Sequence, residues 1–143
     1  MAETRTWLTR AMGDDHTGYL MSAGHSVPLT EIAALLTSEL VTNSIRHSRS
    51  GEGGFVQITM IDSPSDPLAR NGPTLRVAVR DDGGTTLPEL RAPEDDEEGG
   101  RGLFIVDAYA TRWGSGSYGG ATVTWFELEY RHLPLALFGA RSA

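Results

Sequence analysis

The sequence predicts an α/β (α+β) fold: a two-layer sandwich with helices on one face of a mixed sheet. Three observations point there. Residues 28–48 carry apolar side chains at helical spacing. Residues 55–61, 74–81 and 121–130 alternate between apolar and polar, as half-buried strands do. Glycine, 17 of 143 residues, is clustered between these runs, at about 12% against an average near 7%. A chain of 143 residues is expected to be a single domain over 1–143, with its core at about 28–130. A domain of this size buries roughly two-thirds of the surface its unfolded chain exposes, so it needs no metal or disulfide to hold it.

The elements follow in order. Residues 2–12 read as a short helix, with Trp7, Leu8 and Ala11 on one face and Gly13 at its end. Residues 14–27 read as a loop punctuated by Gly18 and Gly24. Ser26 is the candidate N-cap of the main helix, and Pro28 suits its first turn. Along that helix Ile32, Leu36, Glu39, Leu40, Asn43 and His47 form one stripe. Ala34, Val41 and Ile45 form a second, so burial on two sides is expected. Val56, Ile58 and Met60 share a face of the first alternating strand. Three prolines and an Asn-Gly make 63–73 a connection. In the next strand Leu75, Val77, Val79 and Asp81 share one face, and Arg76, Ala78 and Arg80 the other. Residues 82–102 are rich in glycine, proline and acid, without periodicity, and too long for an ordinary connection. A helix is expected over 103–112, a turn region at GSGSYGG, and a strand over 121–130 with Thr122, Thr124, Phe126 and Leu128 on one side. The last ten or so residues read as a tail, although Leu133, Leu135, Leu137 and Phe138 could dock.

Composition excludes several kinds of chemistry. The chain has no cysteine, which removes disulfides, Cys-based zinc sites, iron–sulfur clusters and a thiol nucleophile. Its net charge is −7, with no basic block, so direct nucleic-acid binding is not expected. The longest run of aliphatic residues, Ile32–Leu36, falls far short of the ~20 that span a bilayer. The first residues lack the apolar core of a signal peptide. A cytoplasmic protein with no membrane partner is the expectation.

Three places could carry chemistry. Glu39 and Asn43 stand at i and i+4, so they stack on one helix face that is otherwise apolar. Polar groups there cost free energy unless something satisfies them. The plainer reading is a pair bonded to each other or to backbone. The sharper one is a carboxylate base, one turn from an amide oxygen suited to a hard cation such as Mg²⁺. Asp81 continues the inward face of its strand and is followed by Asp82-Gly83-Gly84. This is either a structural Asp-Gly turn or an oxygen aimed at a buried donor, with glycines admitting a ligand. Gly99-Gly100-Arg101-Gly102 runs into a helix at Leu103. Glycines at a helix start leave N–H groups free for an anion, phosphate above all; the alternative is a flexible joint. Neither a Walker A loop nor a GxGxxG dinucleotide fingerprint occurs.

The order of these motifs resembles the ATP-binding (Bergerat-fold) domain of the GHKL superfamily, shared by gyrase, histidine kinases and MutL. ELVTNSIRHS (39–48) resembles its N box, VAVRDDGG (77–84) its first glycine box and GGRGLFIVDAYATRWG (99–114) its second. GGATVTWFEL (119–128) resembles its terminal strand. The wording of these boxes is most similar to small bacterial anti-sigma-factor serine/threonine kinases of the RsbW/SpoIIAB type, especially actinobacterial ones. The likeness covers about residues 28–130.

That resemblance implies a function. On it the chain would be a Mg²⁺- and ATP-dependent serine/threonine kinase that silences a sigma factor and phosphorylates an anti-anti-sigma (STAS-type) protein, with homodimerisation expected from the resemblance alone. Glu39 would be the general base and Asn43 would coordinate Mg²⁺. Asp81 would accept a hydrogen bond from the adenine amino group, with Gly83 and Gly84 keeping that wall clear. Residues 85–98 would be the lid. Gly99, Gly100, Arg101, Gly102 and Leu103 would wrap the phosphates. Thr124 would back the adenine site, with Thr122 on the same face as the alternative. Arg46 and His47 would sit near the site, although helix-end packing explains His47 equally well.

The chain also departs from the family. Thr85 stands where a second glycine is usual, with Gly84 one residue early. Glu94, Asp95, Asp96, Glu97 and Glu98 precede the phosphate-binding glycines. They are expected to be a solvated loop; held close, they would weaken ATP binding and make it sensitive to salt and Mg²⁺. Relatives usually carry a strand before the first helix. Either it is missing here or the true start lies upstream; its loss would expose a sheet edge or alter the dimer surface. The rival reading is a non-catalytic ATP-binding module that sequesters a protein partner. A histidine-kinase-like ATPase domain is a third.

Overall fold

The computed structural model describes residues 2–13, 17–47, 54–63, 72–83 and 101–132. Helix α1 (Ala2–Met12) leads into a hairpin of β1 (Gly18–Ser22) and β2 (His25–Pro28). The long helix α2 (Leu29–His47) follows, then β3 (Val56–Ser63) and β4 (Thr74–Asp81). Helix α3 (Arg101–Tyr109), β5 (Arg112–Tyr118), β6 (Ala121–Glu129) and β7 (Arg131–His132) complete the order. This is an α+β sandwich with two sheets, one ordered β3-β4-β6-β5 and the other β2-β1-β7.

The larger sheet carries the core on one face. Leu75, Val77 and Val79 of β4 and Phe126 and Leu128 of β6 are buried against Leu29, Leu36 and Leu40 of α2 and Leu103 and Val106 of α3. Helix α1 packs on α2, and Leu8 is its one buried residue. Trp7 and Ala11, expected beside Leu8 on the apolar face, are exposed, while Met12 packs one turn along from Leu8. The opposite sheet face holds Arg76 with its guanidinium 4.2 Å over the Trp125 ring. The Tyr130 hydroxyl donates to Asp62 Oδ1 and ties the end of β6 to that of β3. Burial first, and then the Asp62 carboxylate, push the Tyr130 hydroxyl well above the ordinary tyrosine range.

Several expectations need correction. Every strand pair among the described residues is antiparallel, so the sheet is not mixed. The crossover through α3 does make β4 and β5 run in the same direction. However, β6 lies between them and pairs antiparallel with both. Residues 18–28 form a hairpin rather than a loop. Its register brings Ser22 opposite His25, leaving a two-residue turn at Ala23 (φ 50°) and Gly24 (φ 80°). Two left-handed residues match the twist of the flanking strands, but Ala-Gly is a faint sequence signal for such a turn. Ser26 therefore pairs with Met21 in a strand and does not cap α2.

The second stripe of α2 is buried only in part. Ala34 is covered, whereas Ile45 is 49% exposed. GSGSYGG is not a turn region throughout: β5 runs through it to Tyr118, and the turn is Gly119–Gly120. Glycine and serine give β5 little intrinsic strand preference; pairing along its whole length with β6 makes it a strand. The lid residues 85–98 and the tail from 133 lie outside the described residues.

Candidate functional site

The motifs converge at one end of the sandwich, where β4 ends, α3 begins and the β5–β6 turn folds over. Asp81 is the last residue of β4 and almost fully buried. It faces the helical layer because it continues the alternation of Leu75, Val77 and Val79. Its Oδ1 accepts a 2.8 Å hydrogen bond from the Gly83 amide. That bond holds the carboxylate in an Asx turn and leaves Oδ2 uncommitted among the described residues.

Gly83 is fixed by two constraints. Its φ is +82°, and a Cβ there would stand 2.1 Å from the Gly120 carbonyl oxygen. No side chain fits. The β5–β6 turn thus closes on the Asp81 turn. Nothing in the local sequence announces that contact, so Gly120 is a site-forming residue that sequence reasoning does not find.

Register separates the two threonines. Thr122 is the cross-strand partner of Asp81, whereas Thr124 is opposite Val79. Both are buried. The Thr124 hydroxyl lies 3.0 Å from that of Ser115 on β5, so Thr124 already has a partner. Asp81 and Thr122 form the polar pair at the sheet's end.

The helices bring in the rest. Helix α2 packs against α3, and Gly102 sits directly on Glu39. A Cβ on Gly102 would lie 3.0 Å from Glu39 Oε2 and 3.6 Å from its Cβ. The Glu39 carboxylate therefore lies at the first turn of α3, the electropositive end of that helix. No acidic residue occupies that turn. Glu39 and Asn43 are half-buried rather than sealed in, and no hydrogen bond joins them. The plainer reading, a mutually satisfied buried pair, does not describe them.

Other expected positions fall differently. Leu103 is part of the hydrophobic core. Arg46 is exposed, and His47 ends α2. Arg101 opens α3. Gly84, Gly99 and Gly100 lie outside the described residues.

Residues 8–126 match the family model described as histidine kinase-like ATPase domain. The chain belongs to the histidine kinase-like ATPase family. No curated protein and no solved structure matches it.

The ATPase family is one of ATP-binding domains, and the residues present fit that ligand. Asp81 and Thr122 offer an acceptor and a hydroxyl for a base edge, and the start of α3 offers amides for phosphates. No group of three or more His, Cys, Asp or Glu that could hold a metal occurs among the described residues. A cation arriving with a triphosphate needs only one or two protein oxygens, and Asn43 can supply one. Among the described residues, no helix is long and apolar enough to cross a membrane.

Proposed function

We propose that this domain is a serine/threonine protein kinase of the anti-sigma-factor type, using Mg²⁺ and ATP to phosphorylate a STAS-type anti-anti-sigma protein. The observation that carries the reading is the seat of Glu39 against Gly102. It puts a carboxylate beside the anion-binding end of α3, where a γ-phosphate and an incoming hydroxyl would meet.

The roles follow from position. Asp81 Oδ2 accepts a hydrogen bond from the adenine amino group. Thr122 supports that contact, in preference to Thr124, because it adjoins Asp81. Gly83 keeps the wall free of side chains. The amides around Gly102 take phosphate oxygens, and Asn43 gives its amide oxygen to Mg²⁺, which when bound neutralises charge on the phosphates. Glu39 accepts the proton of the serine or threonine hydroxyl as that oxygen bonds to the γ-phosphorus. The bond from that phosphorus to the β–γ bridging oxygen breaks, and ADP leaves. Most of the rate enhancement comes from positioning and charge neutralisation.

Two measurements test this. The first is thermal unfolding with and without Mg·ATP. At about 100 times its Kd, ligand adds roughly 2.7 kcal/mol, a rise of several degrees in Tm. Asp81→Asn should abolish the rise. No rise at millimolar nucleotide would sink the nucleotide site. The second is transfer from γ-labelled ATP to candidate STAS proteins. Acid-stable label, lost in Glu39→Gln while the thermal rise persists, is the expected result. Acid-labile label would indicate histidine chemistry instead. Nucleotide binding without transfer would favour a non-catalytic module that sequesters its partner.

A further inference from the structure

Gly83, Gly119 and Gly120 are glycines for the sake of their backbone, with φ of +82°, +57° and +82°. Gly102 is different. It is the second residue of α3, and its φ is not in the left-handed region. Helical backbone suits any residue but proline, and glycine inside a helix costs roughly 0.5–1 kcal/mol against alanine. Phosphate binding by the helix start does not call for glycine either, because every residue but proline carries the same amide.

What Gly102 lacks is a Cβ, and that Cβ would meet Glu39. Gly102 is buried, and the added carbon would stand 3.0 Å from Glu39 Oε2, 3.6 Å from its Cβ and 3.7 Å from its backbone oxygen. The last two are ordinary van der Waals contacts; the first is too close and forces a shift. The helices themselves are held in place, since Leu40 of α2 and Leu103 of α3, the chain neighbours of the two residues, are packed in the core. The carboxylate is the part that would give. Among the described residues no hydrogen bond or ion pair holds it, so packing on Gly102 sets its position.

We propose that Gly102 is a positioning residue for Glu39, on the reading of Glu39 as the base of a protein kinase. Its bare Cα is the seat on which the carboxylate rests, and that seat sets where the carboxylate stands relative to the acceptor hydroxyl. Gly102 thus contributes twice. Its amide serves the phosphates, and its missing side chain serves the base. A methyl at 102 leaves the first contribution intact and displaces the second. Proton transfer is sensitive to such a displacement, since a misplacement of about 1 Å can cost about 100-fold in rate.

Gly102→Ala, Glu39→Asp and the double variant test this. Gly102→Ala should keep the rise in Tm with Mg·ATP and a KM for ATP within about threefold of wild type. Its kcat for transfer to a STAS acceptor should fall about 10- to 100-fold. Aspartate is one methylene shorter and clears the added methyl. Glu39→Asp should be slow by itself, and adding Gly102→Ala to it should cost nothing more. A glycine with a merely structural role would cost the same in both backgrounds. Undiminished transfer in Gly102→Ala would overturn the proposal. So would loss of the Mg·ATP rise, which would assign the missing side chain to the phosphates, or an equal further loss on top of Glu39→Asp. If Gly102→Ala does not fold, Glu39→Asp should restore folding, and a double variant that also fails to fold overturns the proposal. A wild type that transfers no phosphate sinks the kinase reading alone. The seat of Glu39 is then decided by NMR of the nucleotide-free protein: Gly102→Ala should move the resonance of the Glu39 carboxyl carbon, and an unmoved resonance overturns the proposal.

Discussion

Gly83 is the position at which the chain has least freedom. Gly83→Ala combines a left-handed backbone with a Cβ 2.1 Å from a carbonyl oxygen. It should cost at least about 2 kcal/mol. Gly120→Ala shares the left-handed φ but meets nothing within 4 Å, so it should cost only about 1 kcal/mol. Urea titrations of the two variants would show the difference, and equal losses would mean that the contact between the turns is not rigid. Thr37 presents the opposite case. Its hydroxyl is buried on α2 without a hydrogen-bond partner among the described residues. Thr37→Val removes an unsatisfied polar atom and should raise stability by about 1 kcal/mol, seen as a higher urea midpoint at unchanged m. Asp81 is legible as an inward residue from the alternation of its strand. Its partner Thr122 is not, because Thr122 and Thr124 share a face and only the β4–β6 register separates them.

At the scale of elements, β5 depends on its neighbours. Glu127 on β6 receives 2.7 Å hydrogen bonds from Arg112 of β5 and from Arg76 of β4, clamping three strands. The Arg112 hydrogen bond is the larger influence, and with Arg76 it outweighs desolvation and holds the Glu127 carboxyl below the usual carboxylate range. A carboxyl whose folded pKa is depressed adds stability above its unfolded value, about 4.3, and loses it as pH falls through its folded value. Glu127→Gln should therefore cost about 1 kcal/mol at pH 7. The difference from wild type should begin to shrink below about pH 4.3 and close once the native carboxyl is protonated. Unfolding at pH 7 and in a series at lower pH would check this; a gap unchanged at full protonation would assign the loss to packing instead. The long helix and the strands β4 and β6 are legible because their burial periods are strong. The β1–β2 hairpin and β5 are not. Their residues carry weak local preference, and pairing with the next strand in the chain, with β7 added on β1, supplies the rest.

At the scale of the whole fold, the described helices pack around the inner face of the larger sheet. Helix α1 joins it through Leu8, its one buried residue. Leu8→Ala should cost about 2–4 kcal/mol. The tryptophans report from α1, β5 and β6, so fluorescence and far-UV circular dichroism should follow one transition in the wild type. In Leu8→Ala they should separate if α1 frays first; coincident curves at a lower midpoint would show instead that α1 unfolds with the core.

The sequence alone determined the kind of protein: an α+β sandwich with an ATP-binding family's boxes in order. That much is legible because burial period, helix-start glycines and motif spacing are local properties of a chain. Tertiary structure decided what sits against what. It chose Thr122 as the neighbour of Asp81, closed Gly120 on Gly83, set Glu39 on Gly102, inserted β6 between β4 and β5, and left β3 at the edge. Those outcomes depend on register and packing between segments far apart in the chain, and no local pattern of residues encodes them.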